Sequence, residues 1–357
     1  MSETTPTPAN GHAIDAAALL AWLRAHVPGL DGPLTIEKFP GGQSNPTYRL
    51  TTPQGSYVMR TKPGPASKLL PSAHAIEREY RVMQALAGTA VPVPRMVALC
   101  EDESVVGRAF YLMEHVQGRI LWDQSLPDMT AEQRRAHYVE MTRVLAALHR
   151  VDPTAVGLAD FGKPGNYFER QIARWSKQYQ ASITEPIPEM DALMDWLPRH
   201  LPALARDESL VSIVHGDYRL DNLMFAPDAP RIVAVLDWEL STLGHPLADF
   251  SYHCLSWHVP PGTFRGIAGL DLQALGIPSE ADTIQRYCAA TGLADPGELQ
   301  RAWPFFLAYN AFRLAAILQG IAKRVELGTA SSAQARSAAA GARPMAQLAW
   351  QLAQRLR

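Results

Sequence analysis

The sequence predicts an α+β fold in two parts, a small β-rich region followed by a larger helical one. Short apolar runs separated by turn residues fill the first part, and helical periodicity takes over from Thr130 onward. At 357 residues the chain exceeds the size one hydrophobic core usually serves, which favours two lobes. With 47% hydrophobic and 19% charged residues, the composition is that of a folded globular protein and excludes a disordered chain.

The elements follow in order. Residues 1–12, rich in Thr and Pro, read as a flexible tail. Ile14 to Val27 places Ala, Leu and Trp on one helical face. The runs TYRLTT and SYVMRT flank Pro53-Gln54-Gly55 and predict a β-hairpin. A helix is expected from Ser72 to Leu86, where Ile76, Tyr80, Met83 and Leu86 share a face. Val91-Pro92-Val93-Pro94 stops it, and Arg95 to Leu99 and Phe110 to Met113 read as further strands. Residues 13–113 therefore form the β-rich lobe, 114–118 the connection, and 119–357 the helical lobe.

In the helical lobe, Thr130 and Gln133 have capping-box spacing ahead of an apolar stripe, Tyr138, Met141, Val144, Leu145 and Leu148. Asn166 to Ala181, Glu189 to Leu204, Ser279 to Thr291 and Pro296 to Leu327 also read as helices, and Thr329 to Ala342 as a loop or surface helix. Two short β-like runs, Leu210 to Val214 and Arg231 to Leu236, interrupt them.

Several function classes are disfavoured at once. A net charge of −2 argues against nucleic-acid backbone as the main partner. Cys100, Cys254 and Cys288 have no CxxC spacing and offer neither a disulfide framework nor a zinc site. The start lacks a basic n-region and an apolar h-region, so a cytoplasmic location is the expectation. Trp303 to Ala322 is apolar but interrupted by Asn310, Arg313 and Gln319, which predicts a buried helix rather than a membrane span.

Chemistry concentrates in two segments, HGDYRLDNLMF (215–225) and VLDWELSTLGHPLADF (235–250). An Asp, an Asn five residues later and an Asp ending a following apolar strand are the parts a phosphoryl-transfer site needs. Asp217 is suited to accept the proton of an attacking hydroxyl. Asn222 and Asp237 offer an amide oxygen and a carboxylate to Mg²⁺, an ion that prefers a few protein oxygens plus substrate phosphates.

The run H-G-D-x-x-x-x-N followed by an apolar strand and D-W resembles the aminoglycoside phosphotransferase and choline kinase group, small-molecule kinases with a two-lobed protein-kinase-like fold. The resemblance runs from about residue 34 to about 320. It implies ATP and Mg²⁺ as cofactors and a small-molecule hydroxyl acceptor, with no nucleic-acid or membrane partner; oligomeric state stays open. It also implies roles for further residues. Arg60 or Lys62 would hold the ATP phosphates, and Glu79, nineteen residues after Arg60, would pair with one of them. Gly41, Gly42, Ser44 and Asn45 resemble the loop covering the phosphates. Glu114 and Val116 would bond the adenine through their backbones. His215 would brace the catalytic loop, Asp249 would hydrogen-bond its backbone, and Arg219 would touch substrate or phosphate or close a salt bridge within the loop. His253 and His258 are two imidazoles without further ligands, a poor metal site. The rings of Tyr167 to Gln180 read as core packing in preference to a ligand stack.

The sequence departs from the pattern in three places. Arg60 stands where aminoglycoside kinases carry Lys, and the two cations differ in geometry. The glycine loop is only a Gly-Gly pair, and Asp237-Trp238-Glu239 is closer to choline kinases than to D-F-G. No GxxxxGK[ST] exists, which removes P-loop kinases. GGQSNPTY, YVMRTKPGP, HGDYRLDN and VLDWELSTLGHPLADF together look like a bacterial branch similar to the kinase domain fused to acyl-CoA dehydrogenases in some animals, domains linked to hydroxyacyl-CoA phosphorylation. A kinase fold of this kind takes up the 357 residues given, so no dehydrogenase domain is expected within them.

Charge bears on the acceptor. Val151 to Asp207 is net −2 and Leu255 to Arg357 net +4, together +2. A polycationic aminoglycoside calls for carboxylates, so an anionic acceptor fits better. Three readings stand: a kinase for a hydroxylated, CoA-linked or otherwise anionic acceptor; an aminoglycoside kinase; and a pseudokinase module, disfavoured because Asp217, Asn222 and Asp237 are all present.

Overall fold

The computed structural model describes residues 14–39, 45–63, 75–262, 265–329 and 333–356. The tail at 1–12 and the loop residues Gly41, Gly42 and Ser44 lie outside them. The chain forms two compact units. One comprises residues 1–88, 92–117 and 234–239; the other holds the rest.

The first unit contains α1 (Ala16–His26), β1 (Thr35–Lys38), β2 (Thr47–Thr52), β3 (Gly55–Thr61), α2 (Ile76–Leu86), β4 (Met96–Cys100) and β5 (Phe110–Glu114). Asp15 caps α1 by accepting from the amides of Ala17 and Ala18 at 2.9 and 3.1 Å, satisfying two donors that have no partner within the helix. The strands form one antiparallel sheet in the order β1-β2-β3-β5-β4. The hairpin register pairs Thr52 with Gly55 and Thr47 with Arg60, and β5 places Tyr111 opposite Arg60. Leu19 and Leu23 of α1 pack with Leu50, Met59, Phe110 and Leu112 of the sheet. Each such side chain contributes about 1.5–3 kcal/mol by leaving water, so the sheet that carries Arg60 is anchored from its apolar positions.

The second unit contains β6 (Arg119–Ile120), α3 (Ala131–His149), α4 (Tyr167–Ala181), α5 (Pro188–Arg199), α6 (Ala203–Arg206), β7 (Ser212–Val214), β8 (Leu223–Phe225), β9 (Ile232–Val235), β10 (Thr242–Gly244), α7 (Pro246–Cys254), α8 (Leu272–Leu275), α9 (Glu280–Thr291), α10 (Pro296–Glu326), α11 (Ala333–Ala339) and α12 (Ala342–Ala353). The last residues of β9 already belong to the first unit. Small sheets β6-β8-β9 and β10-β7 bracket the catalytic-loop segment. The helix read from Glu189 to Leu204 is in fact two. Pro202, the N-cap of α6, has no N–H to continue a helix and keeps the preceding residue out of the helical region. α10 packs against α4, α5, α7, α9 and α12. By length and hydropathy alone it could cross a membrane, but 78% of its most apolar window is buried in protein, as in the central helix of a folded core.

Candidate active site

In the first unit the chemistry starts from β3. Arg60, whose side chain is 15% exposed, lies with Nε 3.0 Å from Glu79 Oε2, Nη2 2.8 Å from Asp237 Oδ1, and Nη2 3.7 Å from Glu239. Glu79, on the first turn of α2, also accepts from Asn45 Nδ2 at 2.8 Å and Tyr111 Oη at 3.1 Å. Asn45 thus braces Glu79. Lys62 does not join this group; it pairs with Glu77. Glu114 ends β5, where its amide donates to Arg95 O and its side chain accepts from Arg95 N, both at 3.0 Å. Val116 follows two residues on, half-buried.

Asp237 sits where β9 gives way to a single 3-10 turn. The segment is fixed by Val235 N donating to Pro92 O at 2.8 Å and by the buried Trp238, whose Nε1 donates to Val235 O at 2.9 Å. Asp237 has φ of 64°, the left-handed region that few side chains adopt. Burial, reinforced by Asp237 and Glu239 and opposed by Arg60, raises the Glu79 carboxyl above its ordinary range. For Arg60 burial acts the other way, but Glu79, Tyr111, Asp237 and Glu239 hold its guanidinium above the usual value.

In the second unit the catalytic loop leaves β7. Asp249 on α7 accepts from the amides of His215 and Gly216, the latter at 2.8 Å. His149 Nε2 approaches Asp249 at 3.5 Å, and Tyr287 Oη bonds His149 Nδ1 at 2.6 Å. Burial works against the Asp249 charge, yet His149, His215 and the loop amide keep its carboxyl below its usual value. His215 Nδ1 accepts from the Asp217 amide at 3.2 Å, a brace for the turn. Gly216 has φ of 82°, and a Cβ there would lie 2.8 Å from Leu240 O, so only glycine fits.

Asp217 is held at both oxygens. Tyr252 Oη donates to Oδ1 at 2.6 Å, while Asn222 Nδ2 and Arg219 Nε reach Oδ2 at 3.0 and 3.2 Å. Asn222 Nδ2 also donates to Asp217 O at 2.9 Å. Its amide nitrogen is thus spent within the loop, and the atom left for a cation is the oxygen, the donor a hard metal needs. In the first unit, one guanidinium faces the carboxylates of Glu79, Asp237 and Glu239. That leaves negative charge suited to a divalent cation. Taken each within its own unit, the Asn222 oxygen and the Asp237 carboxylate are donors of the kind Mg²⁺ takes.

Five participants were not read from the sequence. Tyr252, Asp221, Arg265 and Arg313 surround Asp217 or its loop, and Glu239 lies by Arg60. Tyr252 stands three residues after Asp249 on one helix, a spacing that would have placed it on the same face. Asp221 lies within DYRLDN itself. Arg265 and Arg313 have no such local signal. His258 pairs with Glu280 at 2.9 Å. Of the rings in α4, Phe168 and Tyr179 are fully buried, but Trp175 is half-buried with Arg174 and Arg313 over its face at 5.3 and 5.7 Å.

Comparison with known proteins gives the chain a family and a fold. A model described as the phosphotransferase enzyme family matches residues 35–298. Acyl-CoA dehydrogenase family member 10 of Mus musculus is 46% identical over 324 residues, covering 90% of this chain and 29% of that one. Acyl-CoA dehydrogenase family member 11 of Homo sapiens is 40% identical over 348 residues, covering 96% and 44%. The chain thus spans less than half the length of these curated relatives. A crystal structure from Ralstonia eutropha, provisionally named an aminoglycoside phosphotransferase, superposes with a TM-score of 0.86 at 61% identity, covering 96% of this chain and 99% of that one. An aminoglycoside phosphotransferase solved with AMP-PNP and hygromycin B shares the fold at a TM-score of 0.59 and 14% identity, covering 94% and 98%. With its antiparallel β-rich unit, its helical unit and its H-G-D-x-x-x-x-N loop, the chain belongs to the phosphotransferase enzyme family and has its protein-kinase-like fold.

Proposed function

We propose that the protein is a cytoplasmic, Mg²⁺-dependent kinase that transfers the γ-phosphoryl of ATP to a hydroxyl of an anionic small molecule, with a hydroxyacyl-CoA as the first candidate. The observation that carries this is Asp217, fixed at both carboxylate oxygens by Tyr252, Asn222 and Arg219. A carboxylate so aimed accepts the proton of the acceptor hydroxyl while that oxygen bonds to the γ-phosphorus and the bond to the departing ADP breaks. Asn222 and Asp237 are the proposed metal ligands, and bound Mg²⁺ would neutralise phosphate charge. Arg60, oriented by Glu79, would bind the α/β-phosphates. Glu114 and Val116 remain the proposed adenine contacts.

The acceptor class rests on the net +2 charge of Val151–Asp207 together with Leu255–Arg357, and on relatives named for acyl-CoA dehydrogenases. The name of the Ralstonia eutropha neighbour favours a second reading, an aminoglycoside acceptor. Transfer of label from γ-labelled ATP to a hydroxyacyl-CoA and to an aminoglycoside decides between them. Transfer should require Mg²⁺ and vanish with EDTA. Asp217→Asn should keep nucleotide affinity and lose about 10²- to 10⁴-fold in turnover, the range for a general base. Unchanged turnover in Asp217→Asn would sink the base assignment.

A further inference from the structure

The second unit contains a small open pocket beside the catalytic loop, bordered by Gln124, Arg219, Tyr252, His253, Ser256 and Arg265. Its floor is ionic. Asp221, whose side chain is 3% exposed, accepts from Arg265 Nη2 at 2.7 Å and lies 3.5 Å from Arg219 Nε. One buried carboxylate therefore orients two guanidiniums, one from its own loop and one, Arg265, 44 residues further along the chain. The Arg219 guanidinium also reaches Asp217 at 3.2 Å, so it stands next to the reacting group.

The loop presenting Arg265 is held in an uncommon conformation. Arg265 has φ of 51°, and a Cβ on Gly266 would fall 1.8 Å from Val259 O. A side chain kept in the left-handed region against a close backbone approach is the kind of strain that collects at ligand sites. A second observation is independent of the arginines. His253 is 5% exposed and borders the pocket, and its Nε2 has no hydrogen-bond partner among the described residues. Burial lowers its pKa to about 4, so it is a neutral imidazole left with an unused polar atom.

Charge identifies what fits. Arg313 donates to Gly216 O at 2.6 Å and lies over the Tyr252 ring at 5.2 Å, adding a third guanidinium. Three arginines face two carboxylates, Asp217 and Asp221, for a net charge of +1. One carboxylate on the acceptor neutralises this cluster, whereas a polycation adds to it. Guanidinium forks match carboxylate geometry.

We propose that Arg219 and Arg265 form a subsite for a carboxylate carried by the acceptor close to its reacting hydroxyl, with His253 Nε2 as a neutral hydrogen-bonding partner. This rests on the reading of Asp217 as the base; among the anionic acceptors of that reading it selects a free hydroxycarboxylate, in place of the hydroxyacyl-CoA put first there. In a CoA ester of the same acid the acyl carbonyl is uncharged and the phosphates are remote from the hydroxyl.

Calorimetric titration without nucleotide tests the subsite apart from turnover. The probes are hydroxybutyrates with the hydroxyl on the second, third or fourth carbon, their primary amides, and their CoA thioesters. At least one acid should bind the wild type about 10- to 100-fold tighter than its amide, the scale of a charge-assisted contact. Arg265→Gln should abolish that preference and Arg265→Lys restore part of it. Acid and amide binding alike to the wild type overturns the proposal, and that comparison needs no variant. So does equal weakening of both by Arg265→Gln, or an Arg265-dependent preference for the thioester. The same panel with Mg–ATP separates the two readings. Charge-selective binding without phosphoryl transfer would leave the subsite standing and remove the kinase reading; transfer without charge preference would do the reverse.

Discussion

Arg60, near the end of β3, and Lys62, one residue past it, lie two residues apart, yet the structure gives them different surroundings. Arg60 is 15% exposed and meets Glu79 and Asp237, while Lys62 is 33% exposed and meets Glu77. Glu79 is buried, so deleting Arg60 strands a carboxylate away from water. Arg60→Ala should therefore cost on the order of 3 kcal/mol in unfolding free energy, as breaking buried ion pairs does, and also raise the KM for ATP and lower kcat. Lys62→Ala removes a partly exposed pair worth about 0–1 kcal/mol and should leave kinetics near normal. Urea titration and steady-state kinetics on both variants check this. A stable, active Arg60→Ala beside a dead Lys62→Ala would show that Lys62 holds the phosphates. Arg60→Lys separates charge from fork geometry: partial recovery marks charge as the main requirement.

At the scale of elements, the sequence was informative wherever the signal was local. The hairpin around Pro53-Gln54-Gly55, the buried α10 and the capping box of α3 each follow from residues within a few positions of one another. So do Asp217, Asn222 and Asp237, which one loop and one strand end display in order. Pro202 splits a helix the apolar pattern would have continued, because periodicity does not register a missing N–H. The strands β6, β8 and β10 are two or three residues long, too short for any alternation to register. Arg265 and Arg313 come to the catalytic loop only through tertiary packing, which no local spacing encodes. The capping box offers a direct test. Thr130 Oγ1 accepts from Gln133 N at 3.2 Å, and Gln133 Oε1 accepts from Thr130 N at 2.8 Å. Thr130→Ala should lower stability by about 1 kcal/mol, a Tm drop of about 2–4 °C in a unit of this size, with kcat unchanged. No change in Tm would mean that the α3 terminus frays in the native protein.

For the molecule as a whole, the same packing that aims Asp217 makes the helical unit sensitive to acid. All nine residues of α7 are buried, among them Asp249, Tyr252 and His253, so the helix behind the catalytic loop carries titratable groups almost wholly withdrawn from water. His245, at its N-cap, donates from Nε2 to Leu204 O at 2.8 Å and accepts from Leu247 N at 3.2 Å, which fixes a neutral ring. Burial lowers both His245 and His253 to about 4; for His245 the Leu204 carbonyl and Asp207 oppose the shift and His149 adds to it. The sign follows from proton counting. The unfolded chain takes up these protons near the ordinary histidine value of about 6.5, before the folded chain does. Their stabilisation is therefore complete above about pH 6.5 and erodes as pH falls toward 4. At about pH 5 the loss is on the order of 2 kcal/mol for each histidine. Asp249, held below its usual value, adds a second loss in the same direction, below about pH 4. Glu79 in the first unit, raised to about 7, gains stability over the same interval, so the loss is read from probes of the helical unit: its urea midpoint should be level from about pH 7 to 8 and then drop by pH 5, and His253→Gln should flatten that slope while lowering stability at neutral pH. A midpoint of the helical unit equal at pH 7 and pH 5 would mean that the two imidazoles titrate in the native state as they do in water, and that the interior behind the catalytic loop is open to solvent.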